Sequence, residues 1–293
     1  MKVGFIGTGR MGRAMALRLI EASHDLAVFN RTAAKTRELV EAGAKAAVSL
    51  AQAARYGEAV FTMLADDAAL DEVAGQSGGL LESLPKGGIH ICSGTHGIGI
   101  IRKLEAAHAA RSQILVAAPM LGRPEMVASG QAGMVIAGPA EVLRRCAPLF
   151  EAIARRSVEA GAEPEAATAI KIANNFVLGC AIEAMGEGFS LVRKYGVAPQ
   201  VLNEVMTDGL FACPAYKAYG KIIVDESYDR VGQMALLGLK DANLALAAGE
   251  AVGVPLPSGN VWRDRLVGAV AHGDGGKDWA VMALEQARAS GLA

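Results

Sequence analysis

The sequence predicts an α/β protein: an N-terminal doubly wound sheet and a C-terminal all-α domain, joined by a long helix. Three observations carry this reading. Through the first half, short apolar runs alternate with helical segments, the pattern of repeated β-α-β units in a parallel sheet. A glycine-rich turn, Gly7, Gly9 and Gly12, separates the first run from the first helix. From about Glu165 onward, Gly and Pro mark short turns between segments that all read as helices. The boundary is placed at 163/164, giving domains of residues 1–163 and 164–293.

In chain order, "KVGFIG" is a short strand, "RMGRAMALRLIEA" an amphipathic helix and "DLAVFN" a second strand, completing one β-α-β unit within thirty residues. The G-x-G-x-x-G between them is weak evidence alone, but here it has the strand before it and the helix after it. Gly7 permits the tight turn, Gly9 lets a pyrophosphate approach the backbone, and Gly12 lets helix and strand pack closely. The free N–H groups of the helix N-terminus then take the anion. The loop Gly7, Thr8, Gly9, Arg10, Met11 and Gly12 is therefore expected to hold a dinucleotide. After the second strand a site for NAD would place Asp or Glu against the ribose 2′-OH. This chain has Asn30, Arg31 and Thr32 there, with Lys35 close behind. Arg31 can fork onto a 2′-phosphate, so the expected cofactor is NADP(H). The plainer alternative is that Arg31 is a solvated turn residue.

Further strands are expected at "AVFTML", "GIHIC", "SQILVAA" and "GQAGMVIAGP", with helical segments at roughly 53–56, 67–83 and 98–110. Ligands of open α/β sheets sit beyond the carboxyl ends of the strands. That rule places Leu64 and Ala65 beside the cofactor, "SGTHG" (93–97) on the nicotinamide side and "PMLGRP" (119–124) at the opening.

The helical segments of the second half are expected at 165–194, 199–207, 213–220, 231–253, 258–272 and 277–290. The first contains "TAIKIANNFVLGC", in which Lys171 is the one charge between Glu165 and Glu183. An unpaired ammonium is costly to bury, so the ordinary expectation is a packed stem with the head group in water. Residues 171 and 175 are one helical turn apart, however, so Lys171 and Asn175 share a face. Lys240 likewise begins an otherwise apolar helix.

The bulk composition narrows the partners. The chain has 293 residues, 52% hydrophobic and 20% charged, with a net charge of −1, which suits a globular protein of two domains rather than a nucleic-acid or membrane-surface binder. Cys92, Cys146, Cys180 and Cys213 form no C-x-x-C pair and the five histidines lack metal-ligand spacing, so no metal is expected. The cysteines read as reduced core residues of a cytoplasmic protein. The Lys and two Asn in the longest apolar stretch argue against a membrane span.

Taken in this order, the motifs resemble those of the β-hydroxyacid dehydrogenase family, whose members include 3-hydroxyisobutyrate dehydrogenase and the glyoxylate/succinic semialdehyde reductases. "GFIGTGRMGRAMALRL" is similar to the family's cofactor motif and "NRT" to its NADP-preferring members. "KIANN" is similar to the K-x-x-N-N motif and "LKDANLALAAGEAVGVPLP" to the K-D-x-x-L-A segment. The resemblance implies a Rossmann-type first domain and a small-molecule carbonyl or hydroxy-acid substrate. It implies Lys171 as catalytic acid/base, Asn175 holding the substrate, Thr95 contacting the nicotinamide and Lys240 closing over the cofactor. It also implies a homodimer or homotetramer built through the helical domain.

Two departures stand out. The family's D-x-S-T is here "CSGT", followed by His96 and Gly97, and its A-P-V-S-G-G is here "APMLGRP". Leu121 cannot donate a side-chain hydrogen bond, so the substrate's acidic group is expected at Gly122 and Arg123, unless Arg123 points to solvent or pairs with Glu125. Imine reduction is the neighbouring chemistry, but those enzymes typically carry Asp or Tyr where this chain has Lys171. A non-catalytic NADP-binding sensor is the reading from a different class.

Overall fold

The computed structural model describes residues 1–292 and divides into two compact units, Met1–Lys171 and Ile172–Ala293. The first unit is built on strands β1 (Lys2–Ile6), β2 (Asp25–Phe29), β3 (Lys45–Ala46), β4 (Ala59–Thr62), β5 (Ile89–Cys92), β6 (Ile114–Ala117), β7 (Met120–Leu121), β8 (Gly133–Ala137) and β9 (Arg156–Gly161). Its helices are α1 (Arg10–Glu21), α2 (Arg37–Glu41), α3 (Leu50–Ala54), α4 (Asp67–Gly75), α5 (Leu80–Ser83), α6 (Ile98–Ala109), α7 (Pro124–Ala128) and α8 (Ala140–Ile153).

The sheet runs β3-β2-β1-β4-β5-β6-β8-β7, with β9 on β8. The six strands from β3 to β6 are parallel, and β8 joins β6 antiparallel. Strands covered by helices on both faces need apolar residues on both sides, which is why β4 and β5 are buried at every position. Phe5 and Phe61 stack across adjacent strands with ring centroids 5.5 Å apart, inside a core shared with Met15, Leu19, Val28 and Ile91. The strand order reverses between β1 and β4, so the open crevice of this domain lies over their carboxyl ends.

Several boundaries differ from the sequence expectation. The helix expected at 67–83 is two helices. Asp66 starts α4 by accepting the Ala69 N–H at 2.8 Å, and Gly78, at φ +69, with Gly79 interrupts before α5. The helix expected at 53–56 lies at α3, where the Ser49 hydroxyl accepts the Gln52 N–H at 3.1 Å. The segment 119–124 is part strand and part helix start: Met120 and Leu121 pair with Met134 and Gly133, and Pro124 opens α7. Of the cysteines, Cys92 and Cys146 are buried, but Cys213 is exposed because it sits at the helix-capping position before Pro214.

The second unit is helical. The connecting helix α9 (Pro164–Lys194) is followed by α10 (Pro199–Asp208), α11 (Pro214–Val224), α12 (Ala235–Ala251), α13 (Pro257–Ala271) and α14 (Met282–Ala289). The stretch 231–234 is not helical as expected. Its backbone is taken by the Asp278 carboxylate, which accepts the Gly232 N–H at 2.8 Å, and Met234 bridges to Asp278. Residues 277–281 likewise form a 3-10 turn, Trp279–Val281, before α14. Trp262 and Trp279 pack edge to face, 6.1 Å apart, and Trp279 Nε1–H donates to Tyr219 at 2.8 Å. Each such buried ring is worth roughly 1.5–3 kcal/mol. Gly179 on α9 makes room for Trp262, and Gly186 for Ala283.

Candidate active site

Between β1 and α1 the three motif glycines meet three different requirements. Gly7 adopts φ +93, which disfavours any side chain, and a Cβ there would press on the Met63 backbone. A Cβ on Gly12 would strike the Gly7 carbonyl, so helix and strand touch only because that carbon is missing. Around Gly9 there is nothing within 4 Å of an added Cβ. That open space lies at the N-cap of α1, where the capping residue, Gly9, has no side chain to cover the first N–H groups. The loop is thus shaped to receive an anion at the backbone, and a dinucleotide's pyrophosphate fits it.

The turn after β2 is tied to this loop. Thr8 N–H donates to Asn30 Oδ1 at 3.0 Å, Asn30 Nδ2 donates to the Thr32 carbonyl at 3.0 Å, and the Thr8 hydroxyl donates to the Lys35 carbonyl at 3.0 Å. Asn30 therefore shapes the turn with both ends of its amide. Arg31, Thr32 and Lys35 are exposed, and no carboxylate occupies residues 30–36. At the mouth of α1, Arg10 pairs with Glu125 at 2.9 Å, both side chains more than half exposed. Arg123 itself is half-buried at the N-cap of α7, next to Gly122.

Leu64 follows β4 and lies against Gly7. The loop after β5 holds Ser93, Gly94, Thr95 and His96. His96 is fully buried, and its Nδ1 is 3.1 Å from Asp67 Oδ1. The same carboxylate accepts the Gly97 N–H at 3.0 and 3.2 Å, tying the start of α6 to the start of α4.

Lys171 is 9% exposed and Asn175 is 4% exposed, so the lysine head group is not carried into solvent. Asn175 Nδ2 donates to Asp241 Oδ2 at 2.8 Å, and Gln233 Nε2 donates to the same oxygen at 2.9 Å. Lys240 is ion-paired with the other carboxylate oxygen at 3.1 Å. Because an ionised carboxylate only accepts, the bond to Asp241 fixes which end of the Asn175 amide is its N–H end. Asp241 and Gln233 were not singled out from sequence. The signal for Asp241 was present in "LKDANL", where an acid follows the lysine on the helix that supplies it.

A family model described as the NAD binding domain of 6-phosphogluconate dehydrogenase matches residues 2–161. A second, described as the NAD-binding of NADP-dependent 3-hydroxyisobutyrate dehydrogenase, matches residues 166–284. An oxidoreductase of Bacillus subtilis (strain 168), named uncharacterized oxidoreductase YfjR, is 38% identical over 96% of this chain and 98% of its own. Glyoxylate/succinic semialdehyde reductase 1 of Arabidopsis thaliana is 30% identical over 88% of each chain. In fold, the chain superposes on the Mycobacterium tuberculosis 3-hydroxyisobutyrate dehydrogenase with a TM-score of 0.87, at 24% identity and covering 97% and 98% of the two chains. A nicotinamide-binding sheet domain, a helical partner matched by the same family and relatives along nearly the whole length lead to one assignment: the chain belongs to the β-hydroxyacid dehydrogenase family, enzymes that use a nicotinamide dinucleotide on CH–OH donors.

Proposed function

We propose that the protein is an NADP-dependent reductase of small semialdehyde-type carbonyl compounds, interconverting them with the corresponding hydroxy acid or alcohol. The observation that carries this reading is the buried Lys171–Asn175 pair on one face of α9, with Asn175 fixed by Asp241. When bound, the dinucleotide supplies hydride to the carbonyl carbon. Lys171 gives the proton to the carbonyl oxygen, and takes it back in the oxidative direction. The Asn175 amide holds that oxygen or its neighbour. Thr95 and Leu64 flank the nicotinamide half, and Gly7 to Gly12 hold the pyrophosphate. Lys240, ion-paired with Asp241, acts on the cofactor.

Support for NADP is the exposed Arg31 at the end of β2 in a turn without acids. Support for an acidic aldehyde is the similarity to a protein named glyoxylate/succinic semialdehyde reductase, together with Arg123 beside Gly122. A guanidinium matches a carboxylate in a bidentate fork. The exposed apolar side chains of the helical unit, Val201, Val205 and Leu210 among them, support a homodimer or homotetramer.

The test is NADPH consumption over a panel of small aldehydes with wild type and Arg123→Ala. The variant should raise KM for an acidic aldehyde far more than for a neutral one of similar size. Equal effects on both would remove Arg123 as the anchor. Flat traces across the panel, with NADPH still bound, would make the protein a sensor instead.

A further inference from the structure

Away from the Lys171–Asn175 face, the helical unit holds a cavity of about 240 Å³ between the C-terminal half of α9 and helices α10, α11 and α14. That is the space of roughly eight waters, room for a molecule the size of a branched-chain amino acid and far too little for a dinucleotide. The stretch of α9 that lines it, Gly186 to Arg193, lies about 16–27 Å along the helix axis from Asn175. The walls are apolar at Phe189, Ile223 and Leu284, but four polar side chains line the cavity as well. Ser190 and Tyr228 are 4% and 5% exposed. Among the described residues neither hydroxyl has a hydrogen-bond partner, and neither is sealed from solvent, so both are open to a ligand in the cavity. Burial raises the Tyr228 phenol well above its ordinary value, with Glu226 adding and Arg193 opposing, so it stays a neutral donor. Arg193 and Glu226 stand at the opening, with side chains 30% and 57% exposed. They are 3.7 Å apart, beyond hydrogen-bond length, and Arg193 gives one N–H to the Leu292 carbonyl at 3.3 Å. A surface pair of that length contributes little to stability, and the guanidinium keeps further N–H groups without a partner among the described residues.

We propose that this cavity is a second small-molecule site and that its ligand is an aliphatic α-amino acid. The ligand carboxylate takes the Arg193 guanidinium together with the Ser190 and Tyr228 hydroxyls, and its ammonium takes Glu226. Its side chain fills the space between Phe189, Ile223 and Leu284. A cation and an anion held side by side match the adjacent carboxylate and ammonium of a zwitterion. A plain carboxylate would meet Glu226 as a like charge, and a plain amine would meet Arg193 in the same way. The inference rests on neither the cofactor nor the substrate of the proposed function.

The experiment is a calorimetric titration of the full chain with leucine, with isocaproate (leucine without its ammonium) and with leucinol (leucine without its carboxylate). Wild type should bind leucine about tenfold or more tightly than either analogue, since each lacks one charge-assisted contact. Arg193→Met should weaken leucine by about tenfold or more, and Glu226→Gln should erase its advantage over isocaproate. Tyr228→Phe and Ser190→Ala, which remove only a hydroxyl, should each weaken leucine by roughly two- to tenfold. Circular dichroism and melting of each variant check that it folds. Arg123→Ala should bind leucine like wild type, because that residue belongs to the other unit and to the candidate active site. Absence of leucine binding in the millimolar range overturns the proposal, including the case in which a second copy of the chain covers the cavity. Equal binding of all three compounds would leave only an apolar hole and overturns it too. Leucine binding that survives Arg193→Met but is lost in Arg123→Ala places the ligand at the candidate active site and overturns it as well.

Discussion

At the scale of single residues, the sequence exposes what is out of place and hides what supports it. Lys171 was legible because it is a lone cation in an apolar helix, and Asn175 because it lies one turn away. Asp241 was not, because an Asp beside a Lys reads as an ordinary solvated pair. Only the fold shows that it is buried and bonded to Asn175. Lys171→Ala should keep the fold and cofactor binding but lose on the order of 10²–10⁴ in turnover, the usual worth of a positioned general acid. Near-normal kcat on the best substrate would show that another group moves the proton. Arg31→Ala should cut the preference for NADPH over NADH by about ten- to a hundredfold, since one charge-assisted contact to phosphate is worth about 1.5–3 kcal/mol. The ratio of kcat/KM for the two cofactors reads this directly, and an unchanged ratio would leave Arg31 a solvated turn residue.

Elements were legible where one signal dominated. The apolar runs of β1, β2, β4, β5 and β6 announced themselves, whereas β9 is largely exposed and shows no clean alternation, and α8 carries Pro148 inside a helix whose buried residues otherwise recur every three to four positions. The link between β4, β5 and α6 is also invisible in sequence. Gln113 Nε2 donates to the Leu84 carbonyl at 2.6 Å, leaving its oxygen to accept His108 Nδ1–H at 2.7 Å. His108 Nε2 then accepts His90 Nδ1–H at 2.9 Å, and His90 Nε2 accepts the Thr62 hydroxyl at 2.8 Å. The chain runs one way only if both rings are neutral. Burial pushes His90 well below the ordinary histidine value of 6.5, helped by the neighbouring His108 and His96. Burial also lowers His108, against the bond to Gln113. With both folded values depressed, the unfolded chain binds more protons below about pH 6.5, so this stability is full above that pH and is lost as pH falls. Glu183 in the other unit works in the opposite sense. Burial raises it to about 7 despite Arg265 at 2.9 Å, so the folded state gains a proton as pH falls from 7 toward 4.5. Melting temperatures between pH 7 and 5 should therefore decline more steeply in Glu183→Gln than in wild type. Parallel profiles would mean that Glu183 is not protonated in the folded state over that range.

For the whole molecule, the two-part organisation was legible because helical and strand periods segregate along the chain, but the place of division was not. Contacts divide the chain at Lys171, inside α9, and no composition shift marks a point within one continuous helix. Assembly belongs to this scale too. Light scattering should return twice or four times the 30.2 kDa chain mass, and Val205→Glu on the exposed face of α10 should lower it if that helix lies in the interface. A monomer in wild type would leave those apolar residues without a partner chain. The unbroken passage of α9 through the division has its own consequence for how such a chain tolerates change. Loops absorb insertions and deletions, but a helix converts each one into a rotation of about 100° and a step of about 1.5 Å for everything downstream. One residue added between Lys171 and Asn175 would turn the asparagine away from the lysine and carry the following helices with it. Length variation in this lineage should therefore collect in the surface turns, such as those after α10 and α12, while the spacing from 164 to 194 is copied unaltered.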